Sequence, residues 1–578
     1  MILIQPFLMI YRPGFRKAGR FFVFGVLGVF ILCGVALGEN RKPITATHGM
    51  VVSAHPLASE VGCDILKKGG NAVDAAVAAA FVLNVVEGYY SGIGGGLFMV
   101  VRMPDGGVVA IDGRETAPVL CDSLCFAHYQ GNEDKPSVSG PNAGGVPGAL
   151  AALNLALTQY GTMSLADVMQ PAIEISDTGF FIYPLYQEKL TSSRERLLKY
   201  PQTAAIYLKP DGSVYQLGDR LVQPDLVRTL RIIASKGIGE FYRGDLGQRI
   251  VKAIGNAGGW IRMEDLESYE PIVREPVYGQ YRGYDIYSMP PPSSGGIHLI
   301  QMLNMLRRYD LASMGHNSPQ YIHVLAEVMN RAFADRAEYL GDPGFCRVPV
   351  RGLLSLEYAD ELVRSIHPRY ASIIRGPGDP YPYQEGDHTT HISVMDGQGG
   401  MVAVTTTINT TFGSAWVIPG TGILLNNEMD DFVTRPGEPN FWGLVGNRRN
   451  WIEPGKRPLS SMTPTVVLKD GEPCMILGSP GGPRIISTVL QVFLSVVEFG
   501  FDIQAAVDAP RVHHQWRPDT LYTEDGIPDG VLFDLGASGY HVVAGDKWSS
   551  AQCIYRDSAT GILTGGSDRR SNGAAEGY

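Results

Sequence analysis

Cysteine is scarce, with seven in 578 residues, and the seven show no metal-ligand spacing. That excludes a disulfide-stapled scaffold and a cysteine-based metal site. Only Cys121 and Cys125 lie close together; an oxidising compartment could join them, but spacing alone does not establish a bond. Positive charge is in deficit, with 48 Lys plus Arg against 58 Asp plus Glu and a net charge of −10. A protein that neutralises nucleic-acid phosphates needs the opposite balance, so a small or uncharged partner is expected. Beyond residue 38 no apolar run is long enough to cross a membrane, and no repeat of solenoid period occurs. What is abundant is glycine, at 70, and proline, at 38, which rules out a long coiled coil.

The N-terminus stands apart. Arg12, Arg16, Lys17 and Arg20 precede an apolar run from Phe21 to Leu37, and Ala36-Leu37-Gly38 places small residues where a signal peptidase cuts. Residues 1–38 therefore read as a removable export signal, giving a mature chain that works in the periplasm or outside the cell. A retained membrane anchor is the alternative.

Downstream, Leu57, Val61, Ile65 and Leu66 form a helical stripe over Pro56–Lys68, stopped by Gly69-Gly70. Ala72–Val86 is apolar except for Asp74 and Asn84, as in a buried helix. The run Gly92-Ile93-Gly94-Gly95-Gly96 lacks both the P-loop Lys-Ser/Thr and the GxGxxG spacing, so it reads as a tight turn leading into a hairpin of Leu97–Met103 and Val108–Ile111. From about 148 to 360 helices alternate with loops and include a long one over Tyr321–Tyr339.

The sharpest change in composition is at 376–388, a Pro- and Gly-rich stretch that cannot hold a helix and ends abruptly at His388-Thr389. Thr389–Met395, a turn at Asp396–Gly400 and Met401–Ile408 then predict a hairpin. A loop centred on Gln398 sets 395 opposite 401, 391 opposite 405, and Thr389 opposite Thr407. A second hairpin, Thr463–Leu468 with Cys474–Leu477, runs into Gly478-Ser479-Pro480-Gly481-Gly482 and a helix over Ile485–Phe499. The backbone N–H groups at that junction suit an oxyanion.

A threonine that begins a strand after an exposed connector suggests an N-terminal nucleophile. Cleavage before Thr389 would free an α-amine of pKa about 7.7–8.0 to take its hydroxyl proton. Further motifs support this: Thr389-Thr390-His391-Ile392-Ser393-Val394, Thr407-Ile408-Asn409-Thr410-Thr411-Phe412-Gly413, Leu425–Phe432, Arg457–Met462 and Gly478–Gly482. Together with Asp112–Pro118, the Gly-Gly-Asn-Ala-Val-Asp-Ala-Ala run from Gly69, and Gly92–Gly96, they resemble the γ-glutamyltransferases (γ-glutamyl transpeptidases), in order and over nearly the whole mature chain.

The resemblance implies an α+β Ntn-hydrolase fold, an αββα sandwich of two stacked antiparallel sheets between helical layers. It also implies a precursor that cuts itself at His388-Thr389 into a large segment, 39–388, and a small one, 389–578, which stay packed as one unit. Thr389 would be the nucleophile, Thr407 its hydrogen-bonding neighbour, and Gly481 and Gly482 the oxyanion hole. For a γ-glutamyl donor such as glutathione, Arg114 would hold the α-carboxylate with Ser460 and Ser461. Asp431, Glu428 and Asn409 would accept from the α-ammonium. Glu428 stands where bacterial members often carry glutamine. Pro436–Leu444 resembles the family's lid, with Trp442 in place of a frequent tyrosine, which leaves any hydroxyl-dependent contact there open. The acceptors implied are amino acids, short peptides or water, and neither a metal nor an organic cofactor is needed.

His513-His514 lacks accompanying ligands and reads as structural. Two other readings share the fold: a cephalosporin or glutaryl acylase, whose substrate lacks the α-amino group, and a catalytically silent envelope protein. Asp431 argues against the acylase, because a glutaryl pocket gains nothing from a carboxylate there.

Overall fold

The computed structural model describes residues 42–127, 129, 135–383, 393–545 and 547–578. The export signal expected at 1–38 and the predicted cleavage bond His388-Thr389 lie outside these residues. Of the described strands that form the two large sheets, seven precede that bond: β1 (Ile44–Ala46), β2 (Met50–Ser53), β3 (Gly96–Arg102), β4 (Val108–Gly113), β5 (Ile272–Arg274), β6 (Val277–Tyr281) and β7 (Tyr284–Ser288). Seven more follow it: β8 (Val394–Met395), β9 (Met401–Thr407), β10 (Thr465–Lys469), β11 (Glu472–Leu477), β12 (Gln552–Arg556), β13 (Leu563–Ser567) and β14 (Ala574–Gly577). They form two antiparallel sheets of seven, ordered β14-β2-β8-β9-β3-β4-β5 and β1-β13-β12-β11-β10-β7-β6. Each of these two large sheets interleaves strands from both sides of the predicted cleavage site, so neither segment builds either of them alone.

The alternation of side chains along the strands builds the layers. Met401 and Ala403 of β9 and Val100 of β3 pack between the sheets against Val466, Leu468 and Ile476. The alternate residues Val402, Val404, Met99 and Val101 face the other way, onto helices α1 (Pro56–Lys67) and α2 (Ala72–Val86). On the second sheet Val467, Met475 and Leu477 pack against α3 (Gly295–Leu306), α4 (Pro319–Tyr339) and α5 (Arg484–Val497). The result is helix, sheet, sheet, helix: the α+β sandwich the resemblance implies.

Local chemistry fixes the element ends. Asn71 caps α2 by accepting from the N–H groups of Val73 and Asp74, and the Asp74 carboxylate accepts in return from Asn71 N. Asp74 is buried in an otherwise apolar helix, and it also accepts from Thr162 N, Thr162 Oγ1 and Met163 N. The predicted hairpin is present with Met395 opposite Met401 and Val394 opposite Val402. Its expected continuation to Thr389 opposite Thr407 lies outside the described residues. Helix and strand limits elsewhere differ from the expected ones by one or two residues. In the second hairpin β10 starts at Thr465, two residues late, and carries a bulge between Val467 and Leu468. Among the described residues no helix is long and apolar enough to cross a membrane.

Candidate functional site

One cavity of about 750 Å³ collects Arg114, Thr407, Asn409, Glu428, Asp431, Trp442, Ser460, Ser461, Gly481 and Gly482, which are far apart in sequence. Thr389 is not described. The described chain resumes at Ser393, which lines the cavity. Thr407 ends β9 beside Gly96 of β3, and its Oγ1 accepts from Asn409 N at 2.7 Å.

The segment bearing Glu428 and Asp431 is a short 3₁₀ turn, Glu428–Asp431, anchored by Asn426. Asn426 Oδ1 accepts from Gly145 N and Glu428 N, and its Nδ2 donates to the carbonyls of Gly94 and Gly145. The Gly92–Gly96 turn is thus a ledge for this segment, as the tight-turn reading requires. Asp430 accepts from Ser137 Oγ and from Phe441 N, tying the segment to the loop that follows.

Arg114 leaves the end of β4 and is 1% exposed. Its Nη1 lies 2.7 Å from Glu428 Oε2 and 3.7 Å from Glu115 Oε2, and its Nη2 lies 2.5 Å from Asp431 Oδ2. Burial alone would lower its pKa, but these three carboxyls raise it. Crowding acts on the acids in turn. Burial, against the pull of Arg114, pushes Glu115 up to about 8 and Glu428 well above the usual carboxylate range.

The two serines have other partners in the structure. Ser461 Oγ accepts from Arg336 Nη2 at 3.1 Å and Ser460 Oγ accepts from Met462 N, while Arg114 Nε donates to Pro458 O. Arg336, on α4, also donates to Ser294 Oγ, and burial lowers its pKa to about 10. Sequence reasoning missed it, because an arginine within a helix of mixed polarity carries no local mark. Two guanidiniums, those of Arg114 and Arg336, thus line the cavity, a field that favours an anionic group.

Gly481 and Gly482 adopt φ of +133° and +58°, which only glycine adopts freely. A Cβ on Gly481 would fall 2.1 Å from Ser549 Oγ, and one on Gly482 would fall 2.6 Å from the Trp442 ring. The turn therefore offers bare backbone directly beneath the Trp442 ring. Trp442 Nε1 donates to Asn409 Oδ1 at 2.7 Å, which ties the loop to the residue that follows β9 by two positions. Asn440 shapes the loop by accepting from Trp442 N and Leu444 N and donating to Asp431 Oδ1.

His513 shares hydrogen bonds with Ser487 Oγ and Gln515 Oε1 and lies buried, while His514 meets Asp519, in keeping with a structural role. Cys121 and Cys125 are free thiols.

The sequence pattern of the family described as Gamma-glutamyltranspeptidase matches residues 58–578. The chain belongs to that family. It is 45% identical over 534 residues to a glutathione hydrolase proenzyme of Escherichia coli, covering 92% of this chain and 91% of the relative. It is 40% identical over 543 residues to an acylase ACY 1 proenzyme of a Pseudomonas strain, covering 92% and 94%. Among solved structures, the cephalosporin acylase from Bacillus halodurans superposes with a TM-score of 0.85 at 29% identity, covering 95% of this chain and 99% of that one. Transpeptidases of this family and acylases thus share the sandwich, and the cavity side chains must separate them.

Proposed function

We propose that the protein is an exported γ-glutamyltransferase and glutathione hydrolase, activated by self-cleavage at His388-Thr389. Thr389 Oγ attacks the donor's γ-carbonyl while its freed α-amine takes the proton and later passes it to the leaving amine. The N–H groups of Gly481 and Gly482 stabilise the oxyanion, and Thr407 supports the nucleophile. The acyl-enzyme then gives the γ-glutamyl group to an amino acid, a short peptide or water. Large and small segments act as one unit.

The observation that carries this reading is the pairing of Arg114 with Asp431 in the cavity that also holds Thr407 and Gly481-Gly482. A zwitterionic amino-acid end needs both signs at close quarters. In this reading the α-carboxylate meets Arg114, with Arg336 and Ser461 beyond it, and the α-ammonium meets Asp431, Asn409 and the carbonyl oxygen of Glu428. A glutaryl chain uses only the first half. Wild-type enzyme should therefore release p-nitroaniline from the γ-glutamyl anilide with a kcat/KM at least about a hundredfold above that for the glutaryl anilide. A glutaryl preference would assign the chain to the acylases it also resembles.

The lid gives a second expected result. Trp442→Phe keeps the ring over Gly482 and loses the bond to Asn409, so the donor's KM should rise about three- to tenfold with kcat little changed. Trp442→Ala uncovers the turn and should also raise the hydrolysis share of turnover. Steady-state kinetics on the γ-glutamyl anilide, with and without glycylglycine, reads both. An unaltered KM in both variants would make Trp442 a packing residue only.

A further inference from the structure

Past the Gly481-Gly482 turn the cavity continues along a wall made by Arg484, Tyr522, Lys547, Trp548 and Ser549, none of which the donor reading uses. Arg484 is the first residue of α5, and its backbone N–H closes the turn onto Gly481 O. Its guanidinium carbon lies 5.2 Å from the Tyr522 ring centre and 4.7 Å from that of Trp548. These rings hold the guanidinium without neutralising it. Among the described residues no carboxylate comes within ion-pair distance of it. The nearest acid, Glu524, is fully engaged: it accepts from Arg570 Nε and Nη2, from Trp548 N and from Arg511 N.

Two further groups on the same wall lack partners. Trp548 Nε1 and Ser549 Oγ are buried and make no hydrogen bond. A buried donor left unpaired costs about 1–3 kcal/mol, and natural sites rarely carry two side by side without a ligand to meet them. An unneutralised guanidinium, an indole N–H and a hydroxyl, with the Lys547 ammonium at the rim, make a set rich in donors. The ligand that matches it is a carboxylate.

We propose that this limb binds the carboxylate on the amine side of the reaction: that of the amino acid or dipeptide which leaves the donor or accepts the acyl group. The proposal rests on the γ-glutamyl reading above and specifies its acceptor. Leaving and accepting amines share one site, because attack on the acyl-enzyme retraces the departure path. In transfer the acceptor nitrogen bonds to the acyl carbon, the ester bond to Thr389 Oγ breaks, and the nitrogen's proton returns to that oxygen through the Thr389 amine. Arg484 takes no part in these bond changes; it holds the far end of the acceptor three residues from Gly481.

The test uses processed enzyme with the γ-glutamyl p-nitroanilide as donor, comparing glycylglycine with glycylglycinamide, which differ only in the terminal carboxylate. Wild type should favour the acid in kcat/KM at least about tenfold, and Arg484→Gln should bring the ratio to about one by raising the acid's KM. Arg484→Lys, which keeps the charge but loses the stacked plane, should give an intermediate ratio, and it serves in place of Arg484→Gln if that variant does not mature. A wild type that takes acid and amide equally, or a variant that slows both in parallel, overturns the proposal. Anilide hydrolysis by wild type without acceptor is measured separately. Its absence would remove the γ-glutamyl reading itself, whereas its presence with an unchanged acid-to-amide ratio in the variants removes only the acceptor subsite.

Discussion

Thr389→Ala should run on a denaturing gel as one uncut chain, while wild type separates into two fragments split at His388-Thr389. The variant should release p-nitroaniline from the γ-glutamyl anilide no faster than background, a loss of about 10⁴-fold or more. Two independent blocks produce this outcome. The hydroxyl that cuts the precursor is gone, and so is the nucleophile for the substrate. In uncut chain, moreover, the nitrogen of residue 389 is an amide and cannot take a proton at neutral pH, whereas the freed α-amine titrates near about 7.7–8.0. Thr389→Ser should process slowly and keep partial activity, since the hydroxyl remains. A wild-type chain that stays intact and still hydrolyses the anilide would falsify the N-terminal amine mechanism. The interleaving of strands from both segments within each of the two large sheets predicts that the cut fragments co-elute in native gel filtration.

Features set by local chemistry were legible in the chain. The near-continuous apolar run Ala72–Val86 could only be a buried helix, and the Asp396–Gly400 turn placed Met395 opposite Met401 without any tertiary information. The ordered motifs named ten of the residues that line the cavity. What stayed hidden were partnerships created by folding. Arg336 reaches Ser461 from a helix more than a hundred residues away in sequence, and Glu115 sits beside a recognised arginine, yet complete burial is what raises its pKa. Arg484 directly follows the Gly-Gly turn and Pro483, but its unneutralised state depends on Arg570 having taken Glu524. Charge in a sequence is visible; whether it is satisfied is a property of the packed interior.

Arg114→Gln should produce the largest combined loss. In the proposed site it removes the two-pronged hold on the α-carboxylate, at about 1.5–3 kcal/mol for each charged hydrogen bond, so kcat/KM for the γ-glutamyl anilide should fall by about a thousandfold. Its structural effect has the same origin. Glu115, Glu428 and Asp431 would face one another in the interior without their cation, and breaking a buried ion pair on one side costs about 3–5 kcal/mol. The pH dependence of stability isolates this second effect. Burial raises Glu115 from an ordinary 4.5 to about 8 while Arg114 opposes the rise. Between those values the folded chain holds a proton that the unfolded chain has released, so this group makes stability fall as pH climbs from 4.5 to about 8. Burial of Glu87, raised to about 7, acts in the same direction. The neutral buried imidazoles His298 and His513, lowered to about 3, act oppositely, but only below about 6.5. Denaturant titrations of wild type should therefore show stability declining from pH 6.5 to 8, and the Arg114→Gln variant should continue to decline above pH 8, where the wild-type contribution of Glu115 levels off. Arg114→Lys separates the two roles: keeping the charge should restore most of the stability, yet a single ammonium cannot reproduce the forked contacts, so activity should remain about a hundredfold down. Equal recovery of stability and activity in the lysine variant would mean that Arg114 serves the fold and not the substrate.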